Sequence, residues 1–250
     1  MAEKAEAVKQ FEDERDARVA GFKSDAELKQ ATLAWSELAF TRGYSYNFEW
    51  MGRPIIQYPS DMMGLQEVLW RTQPDLIIET GVAHGGSLVM YAGLQQMMGI
   101  QSAKVLGVEI DLRAHNRALI NEHPMAKHIQ IIDGSSVAEA TLEQVRAVAA
   151  QHQRVMVVLD SLHTHDHVLA ELEAYAPLVT AGNYLVVQDT HVEELPDHLW
   201  LNRPWKRGNN PMTASLEFLS KHPEFENDVA LEAKLQITCA RNGWLRRKNA

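Results

Sequence analysis

Acidic and amide side chains recur at intervals in this chain, each directly after a short apolar run. They are Glu79, Glu109 with Asp111, Asp133 at the start of Asp133-Gly-Ser-Ser136, Asp160, and the pair Gln188-Asp189. If the apolar runs are parallel strands of one sheet, these polar groups converge on the edge where open α/β sheets bind ligands. The pattern therefore predicts a small-molecule site at the carboxyl ends of the strands.

A glycine-containing loop, Gly81-Val-Ala-His-Gly-Gly86, follows the first apolar run and precedes Ser87, where a helical pattern begins. Glycines let the backbone turn sharply and approach a ligand, and the N-terminus of the next helix offers N–H donors to an anionic group. Glu109, at the end of the second run, stands where an acid accepts hydrogen bonds from a ribose diol. The loop lacks the G-x-G-x-x-G pattern, which disfavours a nicotinamide enzyme.

The other half of the predicted site involves the later strand ends. Asp133, Gly134 and Ser135 are placed to meet an adenine, with a plain turn as the alternative. Asp160 and Asp189 end consecutive strands, so their carboxylates are positioned to share one hard cation, with an amide oxygen from Gln188. Magnesium suits such a set of oxygen ligands. The alternative is that both acids cap the loops that follow them.

Four histidines, His163, His165, His167 and His191, lie near these acids in sequence. His163 is a candidate general base, because histidine changes protonation near neutral pH. His163 and His165 with a carboxylate also fit a mononuclear iron site, which leaves an oxygenase as an alternative. A binuclear zinc hydrolase is disfavoured because the run is one residue short of H-x-H-x-D-H. His165 and His167 are expected in the first turn of the next helix.

Five apolar runs alternate with helical stretches, which is typical of a parallel sheet with right-handed crossovers. The predicted fold is therefore α/β, with a doubly wound, mostly parallel sheet of the Rossmann-like type. The runs are Leu76–Ile78, Val105–Ile110, His128–Ile132, Val155–Leu159 and Tyr184–Val187, and the helical stretches between and after them are Ser87–Met98, Arg113–Asn121, Val137–Gln151 and His165–Leu178.

Segments on either side complete the predicted architecture, which is one structural domain. Residues 1–73 hold N-terminal helices at 2–22 and 25–40, then an aromatic acceptor-side segment, then a helix capped by Ser60 or Asp61 and ending near Thr72. Residues 74–250 form the core, with a substrate-facing lid at 191–210. A helix over 211–221 and an antiparallel hairpin, with arms at 230–240 and 243–247, close the chain.

Composition narrows the range of partners. The chain has 250 residues, 46% of them hydrophobic, and a formal net charge of −9, which argues against a broad nucleic-acid or acidic-membrane surface. Its single cysteine, Cys239, excludes an intrachain disulfide. No stretch reaches the ~20 apolar residues of a membrane span, and the charged start does not match a signal peptide. We expect a cytoplasmic protein that acts on small molecules and self-associates through its N-terminal helices.

Taken together, these motifs resemble the cephalosporin hydroxylase family, which despite its name is similar to S-adenosylmethionine-dependent O-methyltransferases of macrolide sugars and rhamnosides. The resemblance covers residues from about 44 to the end. It rests on Trp50-x-Gly-x-Pro-Ile-x-Gln57, Ile78-Glu-Thr-Gly-Val-x-x-Gly-Gly-Ser87, Gly107-Val-Glu-Ile-Asp111, Val158-Leu-Asp-Ser-x-His163, Gly182-x-Tyr-Leu-Val-Val-x-Asp-Thr190, Asn210-Pro-x-x-Ala214, Phe218-Leu219 and Gly243-Trp-Leu-Arg246.

The resemblance implies a metal-dependent O-methyltransferase acting on a hydroxyl of a sugar, glycoside or polyketide-like natural product. S-adenosylmethionine would rest on Glu79, Gly81, Ala83, His84, Gly85, Ser87, Glu109, Asp133, Gly134, Ser135 and Asp160. Mg²⁺ at Asp160, Gln188 and Asp189 would lower the pKa of the acceptor hydroxyl, and His163 would remove its proton, so the predicted catalytic residues are His163 and Asp160. Acceptor contacts are expected from Trp50, Tyr58, His191, Trp200 and Trp205.

One position departs from the family pattern. The residue before the last strand-end aspartate is usually acidic in the family, whereas this chain has Gln188. An amide still coordinates a cation but contributes no charge, so the resemblance implies weaker cation binding here. Metal-independent chemistry, and a non-catalytic partner that keeps the donor pocket, are the two alternatives that this departure opens.

Overall fold

The computed structural model describes residues 6–249. Nine helices are found in that range: α1 Glu6–Phe22, α2 Ala26–Thr41, α3 Pro59–Thr72, α4 Gly86–Met97, α5 Ala114–Glu122, α6 Glu139–Ala149, α7 His165–Tyr175, α8 Pro211–Lys221 and α9 Val229–Leu235. The strands of the same range are β1 Phe48–Trp50, β2 Arg53–Ile55, β3 Leu76–Thr80, β4 Lys104–Glu109, β5 Ile129–Asp133, β6 Val155–Leu159, β7 Tyr184–Val187, β8 Phe225–Asn227 and β9 Trp244–Arg247.

Seven strands form one mixed sheet in the order β5-β4-β3-β6-β7-β9-β8. The first five of these are parallel to one another, and β9 pairs antiparallel with both β7 and β8. From β3 the chain builds outward to β4 and β5, then returns to place β6 on the other side of β3. The switch point between β3 and β6 is where an open sheet of this kind leaves a crevice for ligands.

The core lies on both faces of the sheet. One apolar cluster gathers residues such as Ile78, Val157 and Leu172, and the other gathers residues such as Ile77, Val158 and Trp244. Consecutive strand residues thus point into opposite clusters, as the alternation of side chains along a strand requires. Burial on both faces explains the near-continuous apolar strands and holds their carboxyl ends in fixed register.

The predicted fold class is confirmed. Two strands, Val155–Leu159 and Tyr184–Val187, have the predicted bounds, and the others differ by one or two residues at an end. Helix α2 begins where expected because the side chain of Asp25 accepts a hydrogen bond from the Leu28 N–H.

Two expectations about the flanks are wrong in detail. Helix α3 begins at Pro59, with Tyr58 as its N-cap, because proline at the first helical position loses no hydrogen bond there. The predicted hairpin arm at 230–240 is instead helix α9, since Asp228 caps it by accepting from the Leu231 N–H. The antiparallel partner of β9 is β8, Phe225–Asn227.

Helix α1, the first of the two N-terminal helices, packs against α9. The side chains of Val8 and Phe11 on α1 stay exposed. Residues 2–5 of the predicted first helix lie outside the described range. No helix within residues 6–249 is long and apolar enough to cross a membrane. Self-association through the N-terminal helices and the cytoplasmic location stay predictions.

Candidate active site

A cavity of about 580 Å³ opens at the carboxyl ends of the parallel strands. Its walls come from the loops after β3, β4, β5, β6 and β7 and from the segment around β2. This volume lies within the range of about 300–1,000 Å³ that small-molecule sites occupy. We call the side formed by residues 81–87, 108–110 and 134–136 the donor wall. A second part of the lining, formed by residues 54–58, 188–191 and Cys239 with Trp205, is called the acceptor wall.

The loop after β3 is held close to its neighbours by two glycines. Gly81 has φ +85°, and a Cβ there would lie 2.0 Å from the carbonyl oxygen of Asp160. A Cβ on Gly86 would lie 2.2 Å from the carbonyl oxygen of Pro54. Any larger residue would push the loop away from β6 or from β2, so these glycines are required for packing as well as for the turn.

Side chains from three elements fix the rest of this loop. Glu109 accepts hydrogen bonds from the Val82 N–H at 2.8 Å and, at 3.3 Å, from the Ala83 N–H, which holds Ala83 in the left-handed region. The buried guanidinium of Arg53 donates to the His84 carbonyl, with its Nε at 3.0 Å. Asn116 donates to the Ala83 carbonyl at 3.0 Å. Because its polar groups are paired, the loop is held in one conformation.

Glu79 lies behind the loop rather than on the cavity surface. Its side chain is 1% exposed and accepts hydrogen bonds from the hydroxyls of Ser87 and Tyr91, the latter at 2.9 Å. Burial raises the pKa of Glu79 to about 7, although both hydrogen bonds act in the opposite direction. Among the predicted donor contacts, Glu79 is therefore placed to support the start of α4.

The far end of the donor wall is formed by the turn after β5. Gly134 and Ser135 line the cavity, whereas the Asp133 side chain lies at the surface in an ion pair with Arg117. Exposed apolar side chains of Ile110 and Leu162, 74% and 42% exposed, stand at the same end. A flat, apolar-faced group is the natural occupant of the space they border.

Asp160, His163 and Asp189 also line the cavity, and they offer ligand atoms that all lie within 4.8 Å of one another. His163 Nε2 lies 3.1 Å from Asp189 Oδ2. Desolvation, followed by the charge of Asp189, raises the pKa of Asp160 well above its ordinary value. Desolvation lowers the pKa of His163, against the opposing effect of Asp189, so the imidazole is neutral at neutral pH. This set can hold a divalent cation or move a proton.

Gln188, the third predicted ligand of the cation, lines the same cavity. Its side-chain oxygen accepts the Cys239 thiol hydrogen bond at a sulfur–oxygen distance of 3.0 Å. Its Nε2 is buried and has no hydrogen-bond partner among residues 6–249. Because an amide oxygen has a second lone pair, the ligand role of Gln188 stays a prediction.

The predicted iron site with His163 and His165 is wrong. His165 begins α7, as expected, and its ring nitrogens face Thr213 and Glu217, 2.8 and 3.2 Å away. His167 lies in the same turn and contacts Ser161 and Ser136 at the cavity wall. The helix thus carries the two histidines away from the carboxylates.

The predicted acceptor residues divide into two groups. Tyr58, His191 and Trp205 line the cavity, with the Trp205 ring edge-on to His163 at a centroid distance of 4.8 Å. Trp50 packs beside the core near α4, and Trp200 is buried against Val192 and Leu195. Neither of these last two tryptophans is among the residues that line the cavity.

Several site residues escaped sequence reasoning. Gln57 and Cys239 line the cavity, whereas Arg53 and Asn116 are outside its lining and hold the loop after β3. Arg53, Asn116 and Cys239 take these places through contacts distant in sequence, as when the Cys239 N–H donates to Asp61 at 2.9 Å. Arg53 sits within the Trp50–Gln57 motif, at a position that the motif leaves open. Its place inside that motif was the one available signal.

A family model decides the identity of this fold and cavity. The model described as rhamnosyl O-methyltransferase/CmcI matches residues 42–248. The chain belongs to this family. The predicted family is thus confirmed, and with it the class of enzyme, an S-adenosylmethionine-dependent O-methyltransferase.

Individual members of the rhamnosyl O-methyltransferase/CmcI family agree with this placement. The rhamnosyl O-methyltransferase of Mycobacterium leprae is 36% identical over 80% of this chain and 82% of its own length. The enzyme of the same name from Mycobacterium bovis is 32% identical over 82% of each chain. A solved structure of CmcI with magnesium and S-adenosylmethionine shares the fold, with a TM-score of 0.57 at 21% identity over 82% of this chain and 78% of that one.

Proposed function

We propose that this chain transfers the methyl group of S-adenosylmethionine to a hydroxyl of a small molecule, a sugar, glycoside or polyketide-like natural product. One observation carries the proposal. A single cavity is lined both by the fixed loop Gly81–Ser87 and by the cluster of Asp160, His163 and Asp189. A donor held on the first and a hydroxyl held by the second would face each other, and such placement supplies much of the rate of a displacement reaction.

The donor wall suits an adenosyl group. Gly134 and Ser135 offer polar backbone beside the exposed side chains of Ile110 and Leu162, which would lie against the two faces of a purine. Glu109 stands between this end and the glycine loop, with each oxygen already aligned by backbone N–H groups. Its remaining lone pairs are free to accept ribose hydroxyls. When bound, S-adenosylmethionine supplies an electrophilic methyl group on a sulfonium.

A divalent cation fits the residues present. Asp160 and Asp189 bring two carboxylates together with His163 beside them, and burial, followed by the charge of Asp189, raises the pKa of Asp160. We propose that Mg²⁺ is held by Asp160 and Asp189, with waters or substrate oxygens in its other positions. When bound there, the cation would supply Lewis acidity that lowers the pKa of a hydroxyl. The amide oxygen of Gln188 stays a predicted third ligand.

His163 would act as the general base. Its depressed pKa keeps the ring neutral, and with the proton on Nε2 it donates to Asp189, which orients the ring. Nδ1 is then the unprotonated nitrogen that accepts the hydroxyl proton. Trp205, edge-on to the same ring, would help exclude water from the proton transfer. The segment 191–210, from which Trp205 comes, is proposed as the lid over the acceptor.

The acceptor class rests on the relatives as well as on the cavity. Curated relatives are named rhamnosyl O-methyltransferases, and the acceptor wall here combines aromatic rings with buried amides, the mixture that sugars require. Tyr58 and Trp205 provide ring surfaces for C–H groups, while Gln57 and Gln188 provide polar groups for hydroxyls. We therefore place a deoxyhexose or related glycoside first among acceptors.

Two measurements test the proposal. Calorimetry should show stoichiometric binding of S-adenosylmethionine, and heat without saturation would overturn the donor assignment. Incubation with labelled donor and a panel of hexose and 6-deoxyhexose glycosides should give a methyl ether that a chelator abolishes and Mg²⁺ restores. Full activity after exhaustive chelation would remove the cation from the proposal and leave His163 as the only activating group.

A further inference from the structure

Helix α7 carries three polar side chains, His167, Glu171 and Tyr175, at intervals of four residues. Side chains with this spacing are neighbours on one face of a helix. Glu171 and Tyr175 are fully buried, whereas His167 lines the cavity. All three contact the loops that follow β5 and β6, and both loops contribute to the cavity lining. One face of α7 therefore holds two parts of the site.

His167 connects these two loops through a single atom. Its Nε2 lies 3.2 Å from Ser136 Oγ, after β5, and 3.0 Å from Ser161 Oγ, after β6. Both serines line the cavity. Ser136 belongs to the donor wall, and Ser161 directly follows Asp160 in the chain. The imidazole thus connects the far end of the donor wall to the strand end that carries Asp160.

Glu171 determines which of these atoms donate. The Ser161 hydroxyl donates to Glu171 Oε1 at 2.7 Å, so Ser161 Oγ is left to accept from His167. Nε2 of His167 therefore carries a proton, and it lies 3.5 Å from the same carboxylate oxygen. With Nε2–H as the donor, Ser136 Oγ is also an acceptor. The Tyr175 hydroxyl donates to the Ser136 carbonyl at 3.0 Å, which fixes the backbone of the same residue.

The carboxylate of Glu171 is a costly group at this place. The side chain is 0% exposed, and its Oε2 has no hydrogen-bond partner among residues 6–249. A buried carboxylate with one unpaired oxygen costs free energy of folding rather than supplying it. The effect of Glu171 is instead on orientation, because it fixes the hydroxyl of Ser161 and, through it, the proton of His167.

We propose that His167, oriented by Glu171, is a positioning residue for the methyl donor: it holds the Ser136 turn at the separation from the Asp160 strand end that an adenosyl group requires. This proposal rests on the proposed function, because it concerns affinity for S-adenosylmethionine. The contact between His163 and Asp189 uses none of these atoms. A change at His167 should therefore act on donor binding much more than on kcat.

The first test compares two substitutions of similar size. His167→Leu removes the N–H donor, so the Kd for S-adenosylmethionine, measured by calorimetry, should rise roughly 10-fold. In single-turnover assays at saturating donor, its rate should stay within about threefold of wild type. His167→Gln keeps an N–H donor and should recover most of the donor affinity. Equal losses in the two variants would indicate a packing role and overturn the proposal, as would an unchanged Kd in His167→Leu.

A double-mutant cycle tests the path through Ser136. Ser136→Ala alone should weaken donor binding, and the variant that combines it with His167→Leu should bind no more weakly than the weaker single variant. Losses that add in the double variant would overturn that path. Glu171→Leu, which removes the acceptor of the Ser161 hydroxyl without burying a charge, should raise the donor Kd about threefold to tenfold. An unchanged Kd in this variant would overturn the role given to Glu171.

His165→Leu is the matched control. His165 lies in the same first turn of α7 and is similarly exposed, but its ring nitrogens face Thr213 and Glu217 and it does not line the cavity. This variant should bind the donor as the wild type does, and thermal unfolding should show that all variants are folded at the assay temperature. Donor binding that is equally weak in His165→Leu would assign the effect to the helix and overturn the proposal. Absence of donor binding by the wild type would instead remove the proposed function.

Discussion

The two walls of the cavity differ in how their polar groups are paired. On the donor wall, the carboxylate of Glu109 and the carbonyls of Ala83 and His84 all have partners within the protein. On the acceptor wall, Gln57, Gln188 and His191 each keep a buried atom without one. We therefore expect the donor wall to keep its arrangement when a ligand binds, whereas the acceptor wall is expected to adjust to its ligand.

The largest effect should come from the carboxylate of Asp189, on the acceptor wall. Asp189→Asn preserves shape and tolerates the left-handed backbone, φ 56°, which asparagine also adopts. Loss of its charge should lower kcat about 1,000-fold, because both the cation and the His163 ring lose their partner, while the donor Kd changes less than threefold. Single-turnover assays and calorimetry measure the two quantities. Asp166→Asn, on the exposed first turn of α7, is the control and should behave as wild type.

A change on the donor wall should weaken donor binding and leave kcat nearly unchanged. Glu109→Gln replaces one of two oxygens that accept the N–H groups of residues 82, 83, 110 and 111. We expect the Kd for S-adenosylmethionine to rise roughly 10- to 100-fold, with kcat at saturating donor within about threefold of wild type. If instead kcat falls and the donor Kd is unchanged, the loop is not held for the donor and the comparison between the walls fails.

The pH dependence of turnover tests the acceptor side. Desolvation lowers the pKa of His163, so the base form persists through neutrality and protonation removes activity only at acidic pH. The rate measured at saturating substrates and cation should therefore be level around pH 7 and fall at lower pH. His163→Gln should remove that acid limb and lower the rate about 100-fold. An acid limb that survives in the variant would assign it to another group.

The smallest expected effect is on the free energy of unfolding, and it comes from Glu79, which lies behind the donor wall. Glu79 has its pKa raised to about 7, so the folded protein binds more protons than the unfolded chain between about pH 4.5 and 7. Its contribution to stability is then present below that window and lost as pH rises through it. Glu79→Gln should gain stability relative to wild type between pH 5 and 8, by at most about 3 kcal/mol. Denaturant melts across this range measure it, and a pH-independent difference would contradict the assignment.

Much of the fold can be predicted from the sequence because it depends on local patterns. The apolar runs Val155–Leu159 and Tyr184–Val187 become strands with the predicted bounds, and the polar residue after each one lies at the expected edge. Helix α9 was missed because Ala230 to Ala240 was interpreted as a strand, although Asp228 offered a capping signal. Local sequence thus placed Asp160, His163 and Asp189 at one site.

The acceptor wall is harder to predict from the sequence because its contacts join distant parts of the chain. Cys239 contacts Asp61 and Gln188, which are far away in sequence, and its thiol contact holds the side-chain oxygen of Gln188. Neither the composition nor the spacing of residues predicts such a contact. The same holds for Trp200, whose burial against Val192 and Leu195 takes it off the cavity surface.

The close approach of Gly81 to the Asp160 backbone has a consequence for how members of this family can diversify. Because the donor loop and the carboxylate strand touch there without room for a methyl group, insertions or substitutions at that junction would damage both functions at once. Segment 44–58 is tied to the same loop, because Arg53 donates to the His84 carbonyl and Pro54 packs on Gly86. We therefore expect exchange of segment 191–210 alone between relatives to be the better route to an enzyme with the same methyl donor and a new acceptor.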